Sequence, residues 1–191
     1  MKKFLLFSLF VFAFSFCAQA QYRDVKLPDK PEMTKYEDFY KKSTGFWCSV
    51  ELEAGSSVMV NKSNLQYTSL AFIGGYRFSE FLRVGLGLGA RLYLHNANVR
   101  LSDNVFGLPI FAHARGNFIS AYDRDGVPMW SLSVGGITND GFFVSPTFGY
   151  SFGGLRNNIF VGVNYTLTTF TNYRRNNVAY SYLGLKVGYE F

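Results

Sequence analysis

Tyr182-Leu183-Gly184-Leu185-Lys186-Val187-Gly188-Tyr189-Glu190-Phe191 is the stretch on which the fold turns. Leu183, Leu185, Val187, Tyr189 and Phe191 are apolar and spaced by two, with Gly184, Lys186, Gly188 and Glu190 between them. A strand points alternate side chains to opposite faces, so one face here is wholly apolar and the other holds glycine and charge. In water the apolar face would seek a core. In a transmembrane barrel it would face lipid and the polar face would line the lumen. One strand does not separate the two, and the rest of the chain must decide.

The amino end bears on the compartment. Met1-Lys2-Lys3 is positive, Phe4 to Phe16 is apolar apart from Ser8 and Ser15, and Ala18-Gln19-Ala20 is a small-x-small site. This predicts a signal peptide over residues 1–20, cleaved after Ala20 in Sec-type export. The apolar run is shorter than the ~20 residues of a spanning helix, which argues against a retained anchor. A lipoprotein site at Cys17 would need a small residue where Phe16 stands. Cleavage lowers the formal charge from +6 to +4, because Lys2 and Lys3 leave. It also leaves Cys48 alone, which excludes an internal disulfide and a CxxC metal site. No basic run interleaved with aromatics points to nucleic acid. No later stretch has the length of a transmembrane helix, so a chain that crosses a membrane does so with strands.

Residues 21–44 differ from the remainder of the chain, being charged, with Pro28 and Pro31 and little alternation. They read as a solvated periplasmic lead; a short amphipathic helix over Pro31–Lys42, with Met33, Tyr36 and Tyr40 on one side, is the alternative. Residues 45–191 hold eight alternating segments: Phe46–Ala54, Tyr67–Phe78, Leu82–His95, Phe106–Phe118, Met129–Ile137, Phe142–Phe152, Ile159–Phe170 and the terminal strand. The third is the clearest, with Leu82, Val84, Leu86, Leu88, Ala90, Leu92 and Leu94 set against Arg83, Gly85, Gly87, Gly89, Arg91, Tyr93 and His95. Segments of ~9–11 residues suffice for a tilted strand to cross a bilayer, and an even count suits a bacterial barrel. Ser79-Glu80, Asn139-Asp140-Gly141 and Gly153-Gly154 are hairpin-turn chemistry. Glycine weakens a soluble strand, but on the inner face of a narrow barrel it makes room for large neighbours.

The inward set holds Glu51, Glu53, Arg77, Arg83, Arg91, His113, Arg115, Lys186 and Glu190, and the outward set holds no charge. A mid-membrane charge on the lipid side would cost ~2–4 kcal/mol. An eight-stranded barrel has an interior just wide enough for side chains, and buried charges must pair. The expectation is a lumen ion-pair network in which Glu51, Glu53 and Glu190 meet the arginines and Lys186. First and last strands adjoin in a closed barrel, so Glu51 or Glu53 should lie near Lys186. A soluble sandwich explains the alternation equally well. It accounts poorly for the signal peptide, the terminal Phe191 and an aromatic content of 19%. Aromatics gather near strand ends, at Phe46-Trp47, Tyr76, Phe78, Phe118, Phe142, Tyr150, Phe152, Tyr189 and Phe191, as interfacial girdles do. The reading is an all-β, eight-stranded antiparallel up-and-down transmembrane β-barrel.

From about Gly45 to Phe191 the chain resembles the small eight-stranded outer-membrane β-barrel proteins of diderm (Gram-negative) bacteria, the group that includes the transmembrane domains of outer-membrane proteins A and X. The most specific element is the strand ending Tyr189-Glu190-Phe191, which resembles the terminal signal read by the barrel-assembly machinery. The resemblance implies delivery by periplasmic chaperones, location in the cell outer membrane among its lipids and lipopolysaccharide, and both termini in the periplasm. It implies that Gly55–Asn64, Asn96–Asn104, Thr138–Asp140 and Thr171–Asn177 are outer loops. Ser79–Glu80, Ser120–Pro128 and Gly153–Asn157 are then periplasmic turns, the second of them long for that side.

Catalysis is not expected. The lipid A palmitoyltransferase pairs a similar barrel with a short amino-terminal helix, to which Pro31–Lys42 is similar, and its catalytic groups lie near the outer rim. Candidates at that level are His95, as general base, with Ser102 and Asp103, but no family motif aligns on them. His113 reads as a lumen hydrogen-bonding residue, and two distant histidines make no metal site; no cofactor is implied. Gly85-Leu86-Gly87-Leu88-Gly89 lies inside an alternating strand and lacks the helix a phosphate loop needs. Arg174 and Arg175 read as solvated loop residues, with lipopolysaccharide phosphates as the alternative contact. The expectation is therefore a monomer of structural or surface-interaction role, its lumen plugged by side chains. A lipid A or phospholipid acyltransferase-like enzyme and a hydrophobic-ligand carrier are the alternatives.

Overall fold

The computed structural model describes residues 39, 41, 43–58, 66–94, 106–122, 124–138, 141–171 and 177–191. The chain divides into a unit over residues 1–41 and a second over residues 42–191. In the first, Phe39 and Lys41 are helical, and the rest of the segment considered for a helix lies outside the described residues. The second unit is all β. Its strands are β1 (Gly45–Ser57), β2 (Gln66–Arg77), β3 (Arg83–Leu94), β4 (Phe106–Gly107), β5 (Pro109–Asn117), β6 (Gly126–Ile137), β7 (Gly141–Gly153), β8 (Asn158–Thr171) and β9 (Asn177–Glu190).

These nine segments make eight staves. β4 and β5 face β3 in one continuous register, with Arg91 opposite Gly107 and Leu88 opposite Ile110, and the ladder lapses at Leu108 and Pro109. Pro109 has no N–H to give. A second lapse has the same cause. The β7–β8 ladder skips from Val144–Leu167 to Thr147–Asn164, around Pro146.

Every adjacent pair is antiparallel, and β1 pairs with both β2 and β9, so the sheet closes. Closure has a measurable stagger. Starting at Gly45, the partners run through Arg77, Arg83, Arg115, Ser131, Thr147, Asn164 and Gly184, and return to β1 at Gly55. The circuit lands ten residues further along β1, a shear that accompanies the ~35–45° tilt of small barrels. The backbones of Cys48 and Phe191 exchange hydrogen bonds at 2.9 and 3.0 Å, so the terminal residue extends the seam.

Several sequence boundaries move: β1 runs on to Ser57, past Ala54, and takes the first three residues of the loop expected over Gly55–Asn64. β6 begins at Gly126, not Met129, so Pro128 lies within the strand and the turn expected over Ser120–Pro128 contracts. Pro128 keeps its carbonyl in play, accepting from the Phe118 N–H at 3.0 Å. Glu80 pins this turn, accepting from Ser120 Oγ and the Ala121 N–H, both at 2.8 Å. β9 begins five residues before the alternating run of the terminal stretch. Gly141 and Gly153 take positive φ, 110° and 105°, at the hairpin corners, where a Cβ would be strained.

The wall is inverted relative to a soluble protein. Large apolar residues stand outside, among them Leu86 at 74%, Leu185 at 62% and Ile110 at 62% exposure, while arginine, lysine and glutamate are buried within. An apolar surface that encircles the molecule far exceeds the few hundred Å² a soluble monomer leaves in water, and hydrocarbon is the solvent that suits it. One aromatic girdle is well defined. Phe46, Tyr76, Phe78, Phe118, Tyr150, Phe152, Tyr189 and Phe191 all lie at the end carrying the short turns and the carboxyl terminus. Ring contacts link Phe46–Tyr76 (5.5 Å), Tyr76–Phe78 (5.2 Å), Tyr150–Phe152 (4.9 Å) and Tyr189–Phe191 (6.0 Å). Phe142 belongs to the opposite end. Trp47 is not in a girdle: it is buried in the lumen, because its parity is that of Ser49 and Glu51.

Candidate functional site: a charged, packed lumen

The inward positions of the eight staves meet in layers. At the turn end, Arg77, Arg83 and Arg115 occupy neighbouring ladder positions on β2, β3 and β5. Like charges side by side on a sheet repel, and Glu190 offsets this from across the lumen. Its carboxylate accepts from Arg77 and Arg83 and lies 3.2 Å from Arg115 Nη1. Two of the arginines also meet neutral groups. Arg83 Nη2 donates to Asn117 Oδ1 at 3.1 Å, and the Arg115 guanidinium lies 3.6 Å over the Phe160 ring, a cation–π stack.

The middle layer spans the seam. Lys186 stands opposite Glu53 in the β1–β9 ladder. Its Nζ is 3.2 Å from Glu51 Oε2 and 3.5 Å from Glu53 Oε2. His113 faces the same group, with Nε2 3.8 Å from Glu51 Oε1 and Nδ1 2.9 Å from Ser133 Oγ. Toward the loop end, Glu53 accepts from the Tyr67 hydroxyl, from Asn164 Nδ2 at 2.6 Å and from Thr166 Oγ1 at 3.3 Å. Arg91 lies 3.8 Å from Glu53, with its guanidinium 4.3 Å over the Tyr67 ring and 5.3 Å from that of Phe143.

Apolar side chains fill the remaining space: Trp47, Ile73, Phe111, Ile137 and Phe143 form one buried cluster, and Tyr67, Tyr93 and Tyr182 another. The inward glycines make this possible. Tyr67 faces Gly55, Phe111 faces Gly87 and Phe160 faces Gly188 across the ladders. A Cβ on any of these glycines would lie less than 3 Å from its partner's ring atoms. Each ring therefore lies flat over a bare backbone, and a narrow barrel holds aromatics and arginines together.

The sequence places Glu51, Glu53, Arg77, Arg83, Arg91, Arg115, Lys186 and Glu190 on one face, and the structure gathers them into two groups, one around Glu190 and one around Lys186. It adds Tyr67, Asn164 and Thr166 around Glu53, and Ser133 beside His113. The only signal for these in the sequence is their inward parity. His95, Ser102 and Asp103 lie outside the described residues, as do Arg174 and Arg175. Ser133, His113 and Glu51 form a chain of catalytic residue types. They are buried, and the cavity that Ser133 and Glu51 help to line is about 10 Å³, room for one water at most. Among the described residues no cluster of three or more His, Cys, Asp or Glu side chains is placed to hold a metal. Chemically, the arrangement is a buried network of ion pairs and aromatic rings.

No protein-family model matches the chain, and no curated protein matches it. Among solved structures, the crystal structure of Neisserial surface protein A (NspA) is similar at 15% identity and a TM-score of 0.46, covering 76% of this chain and 96% of that one. The fold stands on the chain's own strand pairings.

Proposed function

We propose that the protein is an integral outer-membrane β-barrel of structural or surface-interaction role, with no through-channel and no catalytic activity. The observation that carries this reading is the lumen: the positions that would line a channel are occupied by Glu190 with its three arginines, by Lys186 with Glu51 and Glu53, and by aromatic rings. In this reading the girdle at the turn end sits at the periplasmic interface and the longer connections face outward. Outer-membrane lipid and lipopolysaccharide surround the wall. Tyr189 and Phe191 serve as the assembly signal for the barrel-assembly machinery after chaperone delivery, and the barrel is a monomer. The signal over residues 1–20 and the periplasmic segment over residues 21–44 belong to the same proposal.

The test pairs gel mobility of the outer-membrane fraction, with and without boiling, with planar-bilayer conductance of the purified protein. A heat-dependent shift without steady conductance is expected. A stable large conductance would make transport the function. Recovery in the soluble periplasm without a shift would remove the membrane reading altogether.

A further inference from the structure

The outer wall is not uniformly filled. Near the loop end an open trough of about 520 Å³ lies on the lipid-facing side, lined by β1, β2 and β9 and reaching Leu94 of β3 and Val163 of β8. Ala54, Ser56 and Thr68 are its short side chains, and Leu94, Leu183, Leu185 and Val163 are its large apolar ones. The register accounts for the depression. Ala54 stands opposite Thr68, and Ser56 opposite Gln66, so two neighbouring strands carry short or slender side chains at one level. Leu94 opposite Gln66 and Leu185 opposite Ala54 then rise as ridges on the next strands. Both leucines are more than half exposed, at 55% and 62%.

We propose that this trough binds one acyl chain of a membrane lipid, with Gln66 and Ser56 hydrogen-bonding the lipid's polar region at the end nearer the loops. The assignment rests on the outer-membrane reading. The trough is continuous with the apolar belt, so hydrocarbon already abuts it on every side within the membrane. A chain lying between the leucine side chains gains dispersion contacts on its flanks as well as beneath. A second copy would present another convex wall and meet the ridges before the short side chains. The polar groups lie at the loop end, which fits a lipid whose headgroup sits at that interface.

The experiment is native mass spectrometry of the folded, detergent-purified protein titrated with palmitoyl-oleoyl phosphatidylethanolamine. A first lipid adduct is expected at several-fold lower lipid than a second. Ala54→Phe, which fills the trough, should weaken the first adduct at least fivefold. Ala112→Phe, on the outward face of β5, should leave it unchanged. Equal adduct formation in all three proteins, or a dimer mass replacing the lipid adduct, would overturn the assignment. The same three proteins are checked for a heat-dependent mobility shift and for insertion into phosphatidylethanolamine-containing vesicles. Insertion with no effect of Ala54→Phe sinks the trough alone, whereas failure of the wild type to insert sinks the membrane reading and the trough with it.

Discussion

Lys186 on the last strand lies 3.2 Å from Glu51 on the first, across the seam at which the barrel closes. Four residues on, Glu190 reaches to the opposite side of the lumen, to arginines of β2, β3 and β5. The closing strand thus carries one charge of each sign, and each meets its opposite on a different part of the wall. The consequence is a matter of register. Slipping β9 by two residues along β1 keeps every side chain on its own face, because the strand period is two. The hydrophobic pattern alone therefore does not distinguish the native shear from its neighbours. The ion pairs do: after a two-residue slip Glu190 would stand opposite Trp47 or Glu51 in place of Ser49. Register specification is the best-attested use of buried charge.

Lys186→Met should destabilise the barrel by about 3–5 kcal/mol, the usual cost of leaving buried carboxylates without their cation. The measurement is urea unfolding of the folded protein in lipid vesicles. Adding Glu51→Gln, at a carboxylate with no arginine within ion-pair distance among the described residues, should recover part of the loss. A double variant no more stable than Lys186→Met would mean that the effect is packing and not charge.

Selection of the register by charge also predicts a crosslinking pattern. Leu52 and Val187 are partners on the lipid-facing side of the seam. In the exported protein with Cys48→Ser, Leu52→Cys with Val187→Cys should form a disulfide readily, and Val50→Cys with Val187→Cys should not. Combining Lys186→Met with Glu190→Gln should allow the second crosslink to appear. If the slipped pair stays silent in that background, the charges do not select the register.

Gly87→Ala should cost about 1–3 kcal/mol, the range for overpacking a filled core, because the new Cβ would lie less than 3 Å from the Phe111 ring atoms. Phe111→Leu in the same chain should restore part of it. Additive losses in the double variant would show that ring and glycine are not in contact.

Position on the outer wall should grade the cost of charge. Leu86→Arg, in the middle of the belt, should cost about 2–4 kcal/mol, and Phe81→Arg, in the turn beside the aromatic girdle, about 0–1. Equal costs from vesicle unfolding would contradict the placement of the bilayer along the barrel.

Phe191→Ser should lower the amount of heat-modifiable barrel in the outer membrane while leaving the soluble precursor detectable. Its backbone bonds with Cys48 survive the substitution, so a strong loss would point to recognition of the aromatic side chain during assembly. Unchanged levels would remove Phe191 from the assembly signal.

The staves are legible in the sequence because alternation is a local property: Leu82 to Leu94 shows its two faces without any neighbour. Boundaries are less so. β6 starts at Gly126 because its residues 126–128 pair with Phe152, Ser151 and Tyr150 of β7, and no alternating apolar run marks that stretch. The break at Leu108 and Pro109 follows from the proline, a feature readable in the sequence only once the pairing partner is known. Trp47 sits at a strand end, which suggests a girdle, although its parity points inward, and parity prevails.

The order of polar and apolar residues determined by itself that this chain forms strands with one apolar and one charged face, since side-chain direction along a strand needs no tertiary information. It also determined which charges share the inner face. Tertiary structure alone decided which of them meet. Parity is blind to shifts of two residues, and only the ten-residue stagger of the closed sheet brings Glu190 to Arg77, Arg83 and Arg115 and leaves Lys186 between Glu51 and Glu53.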